Sequence, residues 1–247
     1  MKADILNEVM MDKLNIGFIS PGPATWPHYD SFMGLVPKEV RFDFQGLGLY
    51  GQSLYEITGK KYQIVSRIVE LADQKHWRAV VVIGAPTEVM NPGLFLDLKA
   101  ALRIPVTTAL SASIAALRSY GAHRLLLLTP FEERLNQMIV DHLMAAGFSV
   151  SAPRPFKNLD DARSQVPESV YDLTKKALSE SAPVDAVYFQ GAVLDPLKVL
   201  ERIETELNTT AIASNPAMLW DIISQLGKHY SIPGYGKLLA DWPAKSD

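Results

Sequence analysis

The chain contains no cysteine. That excludes disulfides, thiolate nucleophiles and cysteine-based metal sites. Histidine is scarce: the five are His28, His76, His123, His142 and His229, and no two share the i, i+4 spacing of a helical metal site. A metal centre is therefore not expected. Neither charge sign dominates. Lys and Arg total 24 against 27 Asp and Glu, for a net charge of −3, so the basic surface that nucleic acid requires is missing. No apolar run approaches the length that spans a bilayer, which leaves no membrane partner. The first eight residues, MKADILNE, are acidic and lack the apolar stretch of a signal peptide. A cytoplasmic protein is the expectation. No phosphate-binding GxxxxGK[ST] occurs. The run GLGLYG at 46–51 has Gly-x-Gly-x-x-Gly spacing and follows an apparent strand at 40–44. No helix opens directly after it and no acidic ribose partner is evident, so a nucleotide cofactor is not expected either.

What the chain does have is an internal repeat. AVVVIGA at 79–85 and AVYFQGA at 186–192 are both short apolar runs ending near a glycine, the pattern of a buried parallel strand opening into a loop. IPVTT at 104–108 and TTAIA at 209–213 follow them, and each precedes an apolar helix that stops near a glycine, Gly121 and Gly227. The offset is about 106 residues, room for one small α/β lobe. The expected fold is α/β: two similar lobes, each with a small parallel sheet flanked by helices, related by a pseudo-two-fold, with a cleft between them. The expected division is 13–108 plus 220–247 for lobe one and 109–219 for lobe two. Ligands of parallel sheets bind beyond the carboxyl ends of the strands. Gly84 to Glu88 and Gln190 to Asp195 are thus expected to face each other across the cleft.

The remaining pattern alternates strand and helix, as a parallel α/β fold requires. Strands are expected at 14–20, 41–44, 125–129 and 148–152. Helices are expected at 62–74, 94–102, 111–120, 132–146, 159–166, 170–179, 197–207 and 217–226. Residues 1–12 read as a lead-in, residues 21–29 as a stiff aromatic loop, and the tail from Ile232 as short and punctuated by Pro and Gly.

The order of IPVTT, HRLLLLTPF, AVYFQG, ASNPAMLWD and PGYGKL resembles the aspartate/glutamate racemase superfamily, in the branch that holds arylmalonate decarboxylases and maleate cis–trans isomerases. The resemblance runs from Ile16 to Leu238, and GLGL at 46–49 with PGYGKL at 233–238 favours the decarboxylase side. It implies the two-lobe fold reached above from the repeat. It also implies chemistry on a small carboxylate substrate without a cofactor, by decarboxylation or proton transfer. Members range from monomers to tetramers, so a homo-oligomer is compatible with it.

The resemblance also locates what has been lost. Racemases place one cysteine in each lobe, maleate isomerases a nucleophilic one in lobe one, and arylmalonate decarboxylases only the lobe-two cysteine, which protonates the enediolate left by loss of CO2. Here those positions are Gly84 (or Ala85) and Gln190. The hydroxyl pair of the decarboxylase dioxyanion hole falls on Ala85 and Pro86, and its tyrosine on Phe131. Pro86 removes a backbone donor as well.

The candidate acid/base groups are accordingly Glu88 and His28, with Gln190 at the family position. Glu88 serves if burial raises its pKa; otherwise it is a loop carboxylate or cap partner. His28 titrates near neutrality or packs on Trp26. The Gln190 amide orients a carboxylate, or merely plugs the old site; it cannot protonate carbon. Candidate substrate contacts are Pro21, Tyr29, Gly84, Ala85, Pro86, Thr87, Phe131, Asn158, Gly191 and Asn215. Asn158 lies where maleate isomerases carry a substrate-contacting Asn. Glu132, Glu133 and Asn136 read as structural. Two rival functions remain: a hydrolase or lyase that activates water through Glu88, and a non-catalytic carboxylate binder.

Overall fold

A computed structural model describes residues 13–23, 29–153, 156 and 159–245. Two four-stranded sheets carry the chain, and they share one strand order. Strands β1 (Leu14–Ser20), β2 (Val40–Gly46), β3 (Ala79–Val82) and β4 (Val106–Thr108) lie as β2-β1-β3-β4. Strands β5 (Arg124–Leu128), β6 (Ser149–Ser151), β7 (Ala186–Phe189) and β8 (Thr210–Ala213) lie as β6-β5-β7-β8. Every pairing is parallel: Ile16 stands beside Phe42 and Ala79, and Leu126 beside Ser151 and Val187. The chain is thus two repeated α/β lobes.

Strands β3, β5, β7 and β8 are almost wholly apolar and buried because helices cover both faces, whereas the edge strands β2 and β6 carry polar residues. Along β3, Ala79 and Val81 join the large core shared by both lobes, while Val80 and Val82 face a second core. That second core is closed by α2 (Lys61–Lys75), through Ile64, Ile68 and Leu71. The spacing of these three residues puts them on one helical face. Helix α1 (Asp30–Met33) buries Phe32 against β1, and α4 (Leu94–Ala101) buries Leu94 and Leu98.

The lobes are joined by two long helices, each following the fourth strand of its sheet. Helix α5 (Ala109–Ser119) follows β4, and α10 (Ser214–Gln225) follows β8. They pack on each other, α5 reaching β8 and α10 reaching β3 and β4. Thr108 caps α5: its hydroxyl accepts from Ser111 N at 3.0 Å while Ser111 Oγ accepts from Thr108 N at 2.8 Å. This reciprocal cap satisfies donors that the helix start would otherwise leave open. Trp220 of α10 is fully buried, and its indole donates to the Pro243 carbonyl at 3.0 Å, tying down the tail.

The expected elements recur with shifted ends. Helix α6 spans Glu133–Ala145, α8 spans Pro167–Glu180, and α7 is only Leu159–Arg163. Pro167, at the first turn of α8, favours a fresh helix start there. The stretch read as one helix at 197–207 is a 3-10 turn, Leu197–Val199, followed by α9, Leu200–Glu206. Helical turns also form where no helix was expected: α1, Leu54–Ile57 (3-10), α3 (Ala85–Val89) and α11 (Lys237–Asp241). The lead-in 1–12 lies outside the described residues. Glu132 caps α6 by accepting from Arg134 N and Leu135 N, and Asn136 accepts from Thr129 Oγ1 at 2.8 Å. Both are structural, as expected.

Gly17 gives a direct test of the second core. A Cβ there would lie 2.4 Å from Cε3 of Trp77, whose indole is fixed by a 3.0 Å bond to Asp43 Oδ2. Gly17→Ala should destabilise the protein by about 1–3 kcal/mol through overpacking, read as a lower urea midpoint. An unchanged midpoint would show that the ring has room to move.

Candidate functional site

The carboxyl ends of both sheets open on one cavity of about 280 Å³. Lobe one supplies Ser20 and Pro21 after β1, the loop carrying Tyr50 after β2, and Ile83, Gly84, Pro86 and Thr87 after β3. Lobe two supplies Pro130 and Phe131 after β5, Leu159 and Arg163 from α7, and Gly191, Ala192 and Val193 after β7. Tyr29 completes the wall. The cleft falls where the strand topology places it.

Local constraints shape each wall. Gly84 takes φ +82° and turns the chain from β3 into α3, with Pro86 in its first turn. Thr87 is buried and donates its hydroxyl to the Ile83 carbonyl at 2.9 Å. Gly191 takes φ +116°, and a Cβ on it would come within 2.7 Å of Pro130 Cδ. Only glycine suits a positive φ at such close approach. The loop after β2 docks on the end of β1: Leu47 N donates to Ser20 O at 2.9 Å and Leu49 N to Pro21 O at 2.8 Å. This brings the Tyr50 ring over Gly22, whose missing side chain leaves space for it.

The cavity gathers Pro21, Tyr29, Gly84, Pro86, Thr87, Phe131 and Gly191 from the expected site residues. Four others are placed elsewhere. Ala85 is fully buried in the core. Asn215 lines a small separate pocket with Asp195 and Ser214. The Gln190 side chain folds into the protein, where its Oε1 accepts from the Tyr188 hydroxyl. Glu88 leaves α3 on the side away from the cleft: its Oε2 accepts from Thr108 Oγ1, and its Oε1 stands 4.0 Å from His142 Nε2. His28 and Asn158 lie outside the described residues.

The site also contains residues that the sequence reading passed over. Tyr50 and Gln52 lie inside or beside the Gly-x-Gly-x-x-Gly run, which was read as a weak nucleotide signal and as a mark of the decarboxylase side, without weight on either side chain. Arg163 sits on a short helix of unremarkable sequence. It is the one charged side chain among the described residues around the cavity. Its Nη1 meets Asp160 Oδ1 at 2.8 Å, and both side chains are largely exposed, so this pair contributes little stability.

The phenols are strongly perturbed. Burial pushes Tyr50 up to about 12, partly offset by a hydrogen bond with Ser20. Burial and the neighbouring Tyr50 push Tyr29 further up. Both groups therefore keep their protons at neutral pH. Behind the cleft, burial raises Glu88 above the usual carboxylate value, the Thr108 bond working against it. Burial likewise lowers His142.

A family model described as arylmalonate decarboxylase matches residues 16–239 of this chain. The arylmalonate decarboxylase of Bordetella bronchiseptica is 25% identical over 248 residues, which is 90% of this chain and 95% of that protein. The maleate isomerase of Nocardia farcinica is 28% identical over 136 residues, 54% of each chain. A crystal structure of arylmalonate decarboxylase superposes with a TM-score of 0.76 at 21% identity, over 92% of this chain and 99% of that one. The Nocardia farcinica maleate cis-trans isomerase bound to TRIS gives a TM-score of 0.76 at 20% identity, over 92% and 98%.

The position of Glu88 predicts a pH signature. A carboxyl whose folded pKa is raised binds its proton more tightly in the native state, so stability falls as pH rises from the unfolded value through the folded one. Glu88→Gln removes this loss. Its urea midpoint should gain on the native protein between pH 4 and pH 8, with the smallest advantage at pH 4. An advantage that shrinks with rising pH would mean that Glu88 is stabilised as the anion.

Proposed function

The chain belongs to the arylmalonate decarboxylase family, and we propose that it removes CO2 from a small malonate-type acid with an apolar substituent, using a tyrosine where its relatives use a thiol. The observation behind this reading is the lining of the cleft: apolar walls, one guanidinium and protonated phenols.

Arg163 takes one carboxylate of the substrate in a bidentate fork, exchanging its exposed Asp160 contact for a ligand. The second carboxylate then lies among Pro86, Phe131, Pro130 and Ile83. The C–CO2 bond breaks and its electron pair passes into the retained carboxylate as an enediolate. The Tyr50 hydroxyl gives its proton to the carbon, and the phenolate is reprotonated from solvent. The net change replaces CO2 by a proton. Raised to about 12, the phenol stays protonated at pH 7 but is a weaker acid than an ordinary tyrosine, so the step relies on the strong basicity of the enediolate carbon. Ser20 stabilises the phenolate through its hydrogen bond. The scheme calls on no cofactor. Gln190 is a positioning residue in it: its carbonyl oxygen accepts from the Tyr188 hydroxyl, and its backbone N–H donates to Leu128 O at 3.0 Å, which fixes the start of the Gly191 loop.

The Glu-activated hydrolase reading finds no support in the orientation of Glu88. A binding-only protein is separated by experiment. With 2-phenylmalonate, CO2 release should be measurable. Tyr50→Phe should lower kcat by about 10²–10⁴-fold, the usual worth of a general acid, with KM little changed. Arg163→Gln should mainly raise KM, by about 10-fold or more, for loss of a charged hydrogen bond of roughly 1.5–3 kcal/mol. Tight calorimetric binding of 2-substituted malonates without any CO2 release would overturn the proposal in favour of a binder.

A further inference from the structure

The segment 47–53 runs from the end of β2 to the 3-10 turn at Leu54–Ile57 and carries Tyr50. Gly48 takes φ +64°, and Gly51 follows the tyrosine directly. Glycines widen the set of conformations that a loop can visit, so Tyr50 depends on support from outside its own backbone. The first half of the segment is fastened to the end of β1 through Leu47 and Leu49. The second half is fastened to the 3-10 turn.

That turn is a fixed base. Asn91 is buried, and its Nδ2 donates to the Ile57 carbonyl at 3.0 Å and the Thr87 carbonyl at 2.9 Å. Gly59 N donates to Met90 O at 3.2 Å. These bonds tie the turn to α3 and the residues just after it. On the other side the Tyr55 hydroxyl donates to Glu132 of lobe two, and the Arg134 guanidinium stands 4.8 Å from the centroid of the Tyr55 ring.

Two side chains reach back from this base. Glu56 accepts from three successive backbone donors: Gly51 N at 3.0 Å, Gln52 N at 3.2 Å and Ser53 N at 2.9 Å. Lys60 Nζ donates to Leu49 O at 2.8 Å. The residues immediately before and after Tyr50 are thus both held from one short stretch of chain. A capping box for the turn needs only the bond to Ser53; the bonds to Gly51 and Gln52 go beyond it. The Gly51 donor above all, then that of Ser53, holds Glu56 below the ordinary carboxylate value. It is therefore an anion at neutral pH, and hydrogen bonds to an ionised acceptor are stronger than neutral ones. Neither Glu56 nor Lys60 lines the cavity.

We propose that Glu56 is a positioning residue that aims the Tyr50 hydroxyl into the cleft by fixing the main chain at Gly51 and Gln52, with Lys60 holding the other side at Leu49. This rests on the reading of Tyr50 as the proton donor. Glu56 touches no substrate. Its effect is on where the phenol stands, and a misplacement of about 1 Å at a reacting group can cost roughly 10²-fold in rate.

The test follows CO2 release from 2-phenylmalonate by the full chain. Glu56→Ala should lower kcat by about 10–10²-fold with KM little changed. Glu56→Gln, which keeps one acceptor oxygen, should fall between it and the native protein. Glu56 is exposed, so both variants should fold. Combined with Tyr50→Phe, Glu56→Ala should add no further loss, since the two residues act as one unit. A second readout needs no turnover. With a carbon-13 label at the tyrosine Cζ, NMR follows the ionisation of Tyr50, whose resonance is the one missing in Tyr50→Phe. Held in place, this phenol titrates at about 12 and stays almost wholly neutral at pH ~10.5; released to water by Glu56→Ala, it shifts toward the ordinary value of about 10 and ionises extensively there. An unchanged kcat, additive losses in the double variant, or a Tyr50 signal unmoved by Glu56→Ala would overturn the proposal and leave the decarboxylase reading standing. If the native protein releases no CO2, that reading fails, and the ionisation of Tyr50 alone decides whether Glu56 sets its place.

Discussion

The packing of α5 against α10 is the constraint on which the rest of the molecule depends. Each helix starts at the end of a fourth strand and contacts strands of the other lobe. The two sheets therefore cannot separate without exposing the core that holds Trp220, Tyr188 and Leu125 together. Because side chains in such a core pack at crystal-like density, the distance between the two sets of strand ends is set by these helices. The loops that carry Gly84 and Gly191 inherit that distance. A site assembled from two lobes is in this way as rigid as one built in a single sheet.

On this frame the residues at the ends of the strands have changed while the fold has stayed. The family fold is retained over nearly its whole length. The positions that the resemblance assigns to thiols hold Gly84 and Gln190 instead. Burial in a low-dielectric cleft raises phenols and carboxyls alike. Here it raises Tyr29 and Tyr50 above the ordinary phenol value, so both are protonated at neutral pH. Among the described residues Arg163 is the one charged side chain of the cleft wall, and its contact with Asp160 must give way before it can take a ligand.

The architecture was legible because it is written in patterns of several residues: apolar strand cores, 3.6-residue helical stripes and a repeat of whole segments. The site was less so, since a single side chain's direction decides it. Gln190 lies two residues after Tyr188, and strand periodicity puts such residues on one face; that cue pointed to its partnership with Tyr188. Glu88 was read on a loop, but Pro86 after Gly84 is also how a helix begins. In a helix, residues 86 and 88 stand about 200° apart, so a carboxyl beside a cleft residue in sequence faces away from it in space. Tyr50 sits in a glycine-rich run whose likeness to the decarboxylase side was noted, but nothing in that run singled out its tyrosine as a wall of the cavity. Arg163 had none: its helix comes to the cleft only through the tertiary fold.

Helix α3 is five residues long and serves as a partition, with the cleft on the Pro86 side and a second cavity on the Glu88 side. Such a wall couples the two chambers in evolution. A substitution that tilts it to admit a bulkier group on the Pro86 side withdraws Glu88 on the other, and the reverse holds as well. Neither chamber is then free to adapt alone. Lineages that reshape the Pro86 side should carry matching replacements at Thr108 and His142, which stand beside Glu88, a covariation that no direct contact with the first chamber would explain.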